Sequence, residues 1–138
     1  MKPTMYLGID GPILVPQDMS NSVLGDVKLA DYAKPFVHWA KEHFNVVWLT
    51  DRFPHEAFIV ARKLGLKGDD IPVMGYQSNK TDGIVPDSHF VWVDAELIPG
   101  EVQWLGQHKI HEKFFQVDPS VGVTEEHKKA IGKLLKHV

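Results

Sequence analysis

Short apolar runs that end in polar residues alternate along this chain with stretches whose apolar positions recur every three or four residues. Met5 to Ile9 is apolar and stops at Asp10-Gly11-Pro12, the pattern of a short buried strand. Pro16 to Gly25 is polar and predicts an irregular loop. Lys28 to His43 predicts a helix, because Tyr32, Phe36, Trp39, Ala40 and Phe44 fall on one face at helical spacing. Asp31 suits its first turn, and Pro35 is able to delay its start. Phe44 to Thr50, rich in β-branched and aromatic residues, predicts the second strand. Pro54 to Leu64 predicts a helix with Pro54 in the first turn and Gly65 as the C-terminal cap. Ile71 to Met74 is a weaker strand, and Gly75 to Asp87, with Asn79, Asp82, Gly83 and Pro86, is a loop. His89 to Asp94 is a clear strand. Pro99 to Gln107 predicts a short helix, and Lys113 to Asp118 a strand closed by Pro119. Thr124 to Val138 predicts the last helix, with Thr124 as its N-cap and Glu125 and Glu126 favourable in its first turn.

Strands that alternate with helices predict an α/β fold: a parallel sheet with helices on both faces. There is no internal repeat, low-complexity segment or linker, so residues 1–138 are expected to form a single domain. A hydrophobic fraction of 43% and a charged fraction of 24% are ordinary for a globular protein. The net charge of −3 gives no electrostatic footprint for nucleic acid or a membrane surface. The lysines from Lys128 to Lys136 read as one solvated helix face. With no cysteine, disulfides and thiolate metal sites are excluded. No apolar run reaches membrane-spanning length and no leader precedes Asp10, so a cytoplasmic location is the expectation. The eight histidines show no His-x-x-x-His pairing with an acidic third ligand, and glycine-rich nucleotide loops are absent.

Ligands of open parallel sheets bind beyond the carboxyl ends of the strands. Three apolar strands here finish in polar groups: the first at Asp10, the second at Thr50-Asp51-Arg52, and the third at Asp94-Ala95-Glu96, with Lys80 between the last two. One acidic strand end alone would be a turn residue; three in this order predict a shared site.

The arrangement resembles the haloacid dehalogenase-like phosphohydrolases, which use an aspartate nucleophile in a three-layer α/β/α Rossmann-like domain. Their first motif, Asp-x-Asp-Gly after an apolar strand, is matched by Gly8-Ile9-Asp10-Gly11. Their strand-end Thr or Ser is matched by Thr50 in Val46-Val47-Trp48-Leu49-Thr50, and their lysine by Lys80. Their strand ending in aspartate is matched by Phe90-Val91-Trp92-Val93-Asp94. The chain looks most similar to the small, nearly capless branch found in RNA-repair proteins. The short segment before the first helix implies a minimal cap and hence an open cleft.

The resemblance implies Asp10 as general acid/base, Thr50 as a phosphate contact, Lys80 as the neutralising cation and Asp94 as a magnesium ligand. It also places Gly8 where the nucleophile belongs, and glycine has no side chain with which to attack phosphorus or bind metal. Ala95 stands where a second aspartate is common. A weak magnesium site from Asp94 and the carbonyl of Asp10, assisted by Asp51 or Glu96, is the implied cofactor site. Arg52 beside Asp51 offers a fork suited to an anion, and a surface ion pair is the plainer reading of that pair. Three functions are compatible with this sequence. The first is a phosphatase-fold binding or regulatory module without phosphohydrolase activity. The second is a metal-dependent phosphomonoester hydrolase acting on a nucleotide or nucleic acid end, with water activated through Asp10. The third is an interaction protein whose old cleft is incidental. The implied ligands are a phosphorylated small molecule or a macromolecular end, and no protein partner is identified by the sequence.

Overall fold

The computed structural model describes residues 2–17 and 26–135. The described elements run in the order β1 (Thr4–Leu7), β2 (Leu14–Pro16), β3 (Val27–Leu29), α1 (Ala33–His43), β4 (Asn45–Leu49), α2 (Pro54–Lys63), β5 (Val73–Met74), β6 (Phe90–Asp94), α3 (Pro99–His108), β7 (Phe114–Gln116) and α4 (Glu125–Leu135). Five strands form a sheet in the order β5-β4-β1-β6-β7, with every neighbouring pair parallel.

The apolar alternation of each strand decides which face it gives to which helix. Register sets Leu7 level with Trp48 on one side and Val93 on the other. On that face Met5, Leu7, Val46, Trp48, Val91 and Val93 pack with Phe36, Val37 and Ala40 of α1, Val60 of α2 and Ile131 of α4. The opposite face carries Leu49, Phe90 and Trp92, with Tyr6 and Phe114, against Leu105 of α3. Each of the larger apolar side chains contributes about 1.5–3 kcal/mol by leaving water. The result is three layers, as the alternation of elements predicts.

Several boundaries differ from the sequence reading. The helix expected from Lys28 begins at Ala33, because Val27–Leu29 instead pairs antiparallel with Leu14–Pro16. The apolar Ile13-Leu14-Val15 run supplies the partner that helical periodicity does not consider, and the Ala30 N–H donates to the Ile13 carbonyl at 2.7 Å. Pro35 then falls at the third helical position, where its missing N–H would have had no intrahelical acceptor. Pro16 thus ends a strand, and the rest of the expected loop, residues 18–25, lies outside the described residues, as do residues 136–138 of the last helix. The expected strand at Ile71 shortens to Val73–Met74, and the loop from Gly75 holds a 3-10 turn at Lys80–Gly83. Thr124 does cap α4: its hydroxyl accepts the His127 N–H at 3.4 Å, and its own N–H donates to His127 Nδ1 at 3.1 Å. The far ring nitrogen of His127 donates to the Gln116 carbonyl at 2.9 Å, which ties α4 to β7.

Candidate functional site at the strand ends

The chain leaves β1 for β4 and β5 on one side of the sheet and crosses to β6 and β7 on the other. The reversal lies between β1 and β6, and a crevice opens at such a point beyond the carboxyl ends. Gly8, Ile9, Asp10, Leu49, Thr50, Asp51, Tyr76, Lys80 and Asp94 enclose a cavity of about 30 Å³ there, room for about one or two waters. The structure therefore brings together Gly8, Asp10, Thr50, Asp51, Lys80 and Asp94, as the sequence order of the strand ends predicts. A larger cavity of about 330 Å³ opens at the opposite edge beside Phe44 and Leu134. Its Lys113 already donates to the Ser88 carbonyl at 2.8 Å and lies over the Phe90 ring. It receives none of the convergent strand-end groups, and we place the site at the smaller cavity.

The turn after β1 is tight. The Ile13 and Leu14 N–H groups both donate to the Ile9 carbonyl, and the Gly11 N–H donates to Leu14. Gly11 has φ +101°, and a Cβ there would stand 2.4 Å from the Ala95 Cβ. Only glycine lets this turn lie against the end of β6.

At Gly8 the crowding is chemical. Its N–H continues the ladder to the Val93 carbonyl at 2.9 Å, so Gly8 sits level with Asp94 across the strand pair. A Cβ on Gly8 would lie 2.6 Å from Asp94 Oδ1, 2.7 Å from Cγ and 2.9 Å from Oδ2. The Asp94 carboxylate thus fills the space into which a side chain at position 8 would project. It is 2% exposed. Oδ1 accepts the Ala95 N–H at 2.8 Å, and Oδ2 pairs with Lys80 Nζ at 3.0 Å. Lys80 Nζ is the cation that faces Oδ2.

Burial pushes Asp94 above its ordinary value of 3.8, with Lys80 and the Ala95 N–H pulling the other way without cancelling it. Burial also opposes the charge of Lys80, but Asp94, with Tyr76 and Glu101 behind it, outweighs that and raises Lys80 above 10.5. Burial likewise raises the Tyr76 phenol, opposed by Lys80. The folded state therefore binds the Asp94 proton more tightly than the unfolded chain. Stability should fall as pH rises from 3.8 through the raised Asp94 value, then level off. The Lys80 contribution is fully present below 10.5 and is lost as pH rises through its raised value. Urea unfolding of wild type and Asp94→Asn from acid to neutral pH tests this: the difference in stability should move against wild type with rising pH. A flat difference would refute it.

Asp10 faces outward, its side chain half exposed, and Arg52 takes both of its oxygens. Arg52 Nε donates to Oδ2 and Nη2 to Oδ1, each at 2.8 Å. Arg52 Nη1 donates to Glu56 Oε2 at 2.8 Å. Glu56 Oε1 accepts the Phe53 N–H at 3.0 Å, the return half of a capping box at the start of α2. Arg52 thus pairs with a residue of the β1 turn, not with its neighbour Asp51, which is exposed at the cavity rim. The Thr50 hydroxyl accepts the Arg52 N–H at 3.0 Å, the ordinary use of a strand-end threonine. The Glu96 side chain is exposed and does not line the cavity; its carbonyl faces Lys80 Nζ at 3.5 Å.

Two residues outside the sequence reading complete the site. Tyr76 forms part of its wall, and no sequence signal marks it. Glu101 is 2% exposed. Its Oε1 accepts the Ile98 N–H at 3.0 Å and its Oε2 the Lys80 N–H at 2.7 Å. It fastens the Lys80 turn to the start of α3. The run Ile98-Pro99-Gly100-Glu101, with proline at the first helical position and glutamate at the third, is the signal that would have found it.

Magnesium is held by carboxylates whose charge is available to it. Asp94, the expected carboxylate ligand, instead neutralises Lys80, and the Asp10 side chain, beside the expected carbonyl ligand, neutralises Arg52. Among the described residues no group of three or more Asp, Glu or His side chains converges. As arranged, this donor set does not fit the ion.

No protein-family model matches the chain, and no curated protein does. Solved structures do. The fold is similar to that of Fcp1, an essential RNA polymerase II CTD phosphatase, with a TM-score of 0.52 and 12% identity over 96% of this chain and 49% of that one. It is also similar to fission yeast Fcp1 bound to beryllium fluoride, with a TM-score of 0.53 and 13% identity over 96% of this chain and 50% of that one. The chain spans about half the length of these structures. At this identity the likeness establishes the fold, which is haloacid dehalogenase-like. No described helix is long and apolar enough to cross a membrane.

Proposed function

We propose that this chain is a phosphatase-fold binding or regulatory module without phosphoaspartyl chemistry. The observation that carries this reading is the Asp94 carboxylate lying over Gly8 and paired with Lys80. Position 8 supplies no attacking oxygen, and the space for one is taken. The lysine that would steady a nucleophile and a phosphoryl group instead steadies Asp94. Transition-state stabilisation needs positive charge that is uncommitted until the reaction develops negative charge. Here Lys80, which lines the cavity, and Arg52, which pairs with the cavity residue Asp10, each already face a carboxylate.

The alternative reading, hydrolysis by water activated through Asp10, has less support. A general base needs an oxygen turned toward that water, and both Asp10 oxygens accept from Arg52. Hydrolysis of an aryl phosphate with magnesium present tests the choice. Wild type is expected to match the uncatalysed rate, as is Asp10→Asn. Turnover by wild type that Asp10→Asn abolishes would overturn the proposal and favour the hydrolase.

A further inference from the structure

We infer that the cavity at the amino-terminal edge of the sheet binds a small amphiphilic amine, its apolar body inside and its ammonium head facing Asp87 and Glu112. This is a second site, at the edge of the sheet opposite the strand-end cleft. It does not rest on the functional reading above.

The body follows from the walls. Pro3 precedes β1, Phe44 caps α1, Phe90 and Val91 open β6, and Leu134 and Leu135 end α4. All six line a cavity of about 330 Å³. Phe44, Phe90 and Val91 are core residues, and Leu134 and Leu135 are half-buried. Ligand pockets run from about 300 to 1,000 Å³, so this one suits a single ring or a short branched chain. An adjoining cavity shares Asp87 and Lys113, but its apolar wall is only Pro86 and Ile110.

The head follows from the charges. Asp87, Glu112 and Lys113 are the acidic and basic residues of the lining, and Ser88 and His89 complete its polar part. Lys113 is half-buried and already committed. Its Nζ donates to the Ser88 carbonyl at 2.8 Å and to the Pro86 carbonyl at 3.4 Å, and it lies 4.6 Å from the centre of the Phe90 ring. An ammonium has three donors, so two carbonyls and a ring face leave little for an anionic ligand. Asp87 and Glu112 are both exposed, and among the described residues neither carboxylate is in a hydrogen bond or ion pair. The uncompensated charge at this cavity is therefore negative, and it selects a cation. Aromatic walls add to that preference, because a ring face attracts a cation.

The test is an amide NMR titration of the full chain with three probes of one size and different charge: phenethylamine, phenethyl alcohol and phenylacetate. Phenethylamine is expected to shift the Phe44, His89, Val91 and Leu134 amides. It should bind about fivefold more tightly than the alcohol, as two exposed carboxylates allow, with phenylacetate weakest. Asp87→Asn with Glu112→Gln should erase the preference for the amine and leave the affinity for the alcohol unchanged. Both positions are exposed, so the double variant is expected to fold. Leu134→Ser should weaken the amine and the alcohol together. Phenylacetate binding as tightly as phenethylamine would show that Lys113 selects the ligand, and would overturn the proposal. So would an amine preference that survives the double variant, or shifts confined to amides away from the cavity. If no probe moves the cavity amides, the site does not exist. Should Leu134→Ser fail to fold, the three probes on wild type and the double variant decide the matter alone.

Discussion

Gly8→Asp is expected to destabilise the protein by about 3 kcal/mol or more, because it leaves a buried carboxylate without a partner, and to confer no phosphatase activity. By the family resemblance alone this substitution would supply a carboxylate at the nucleophile position. In the structure its Cβ would begin 2.6 Å from Asp94 Oδ1. Asp94 has no easy retreat: it is 2% exposed, anchored by the Ala95 N–H and paired with Lys80. Two carboxylates would then share one lysine in a cavity of about 30 Å³, and like charges so close do not both stay ionised. A compensating variant separates this account from simple intolerance of a side chain. Gly8→Asp with Asp94→Gly moves the carboxylate across the strand pair and returns a single partner to Lys80. Chemical denaturation should show that the double variant recovers most of the loss. Full stability of Gly8→Asp alone would refute the picture of an occupied seat.

The fold was legible because its signals are local. Apolar runs ending at Asp10, Thr50 and Asp94 mark three parallel strands, and their order already implies one edge. The short apolar run Ile13-Leu14-Val15 was harder, because a strand of three residues has no period to detect. Lys28 and Leu29 of its partner strand Val27–Leu29 fall within the helix expected from Lys28, whose true start lies at Ala33.

Partnership was less legible than position. Arg52 looks paired with Asp51 along the chain, yet its fork closes on Asp10, 42 residues away. The resemblance implies a phosphate cation at Lys80 and a metal ligand at Asp94, each position taken by itself. With no side chain at Gly8 between them, opposite charges in a low-dielectric pocket have each other to neutralise. That follows from the missing side chain, but only a three-dimensional arrangement shows that the two groups reach.

Glu101→Ala is expected to cost about 1–3 kcal/mol, since it strips acceptors from two part-buried N–H groups at once. The carboxylate is the joint between α3, through the Ile98 N–H, and the Lys80 turn, through the Lys80 N–H. A buried glutamate is tolerated here because both oxygens accept backbone donors and the Lys80 charge is near. Glu101→Gln retains one acceptor and presents an amide N–H₂ to the other donor, so about half the loss is expected. Hydrogen exchange gives the distinguishing readout. The Ile98 and Lys80 amides should exchange faster in Glu101→Ala under native conditions, while Leu7 and Val93 at the centre of the sheet change only with global stability. If the two amides keep their protection, or the substitution costs under about 1 kcal/mol, Glu101 is not what holds the lysine against Asp94. The Lys80–Asp94 pair would then have to be anchored by its own attraction alone.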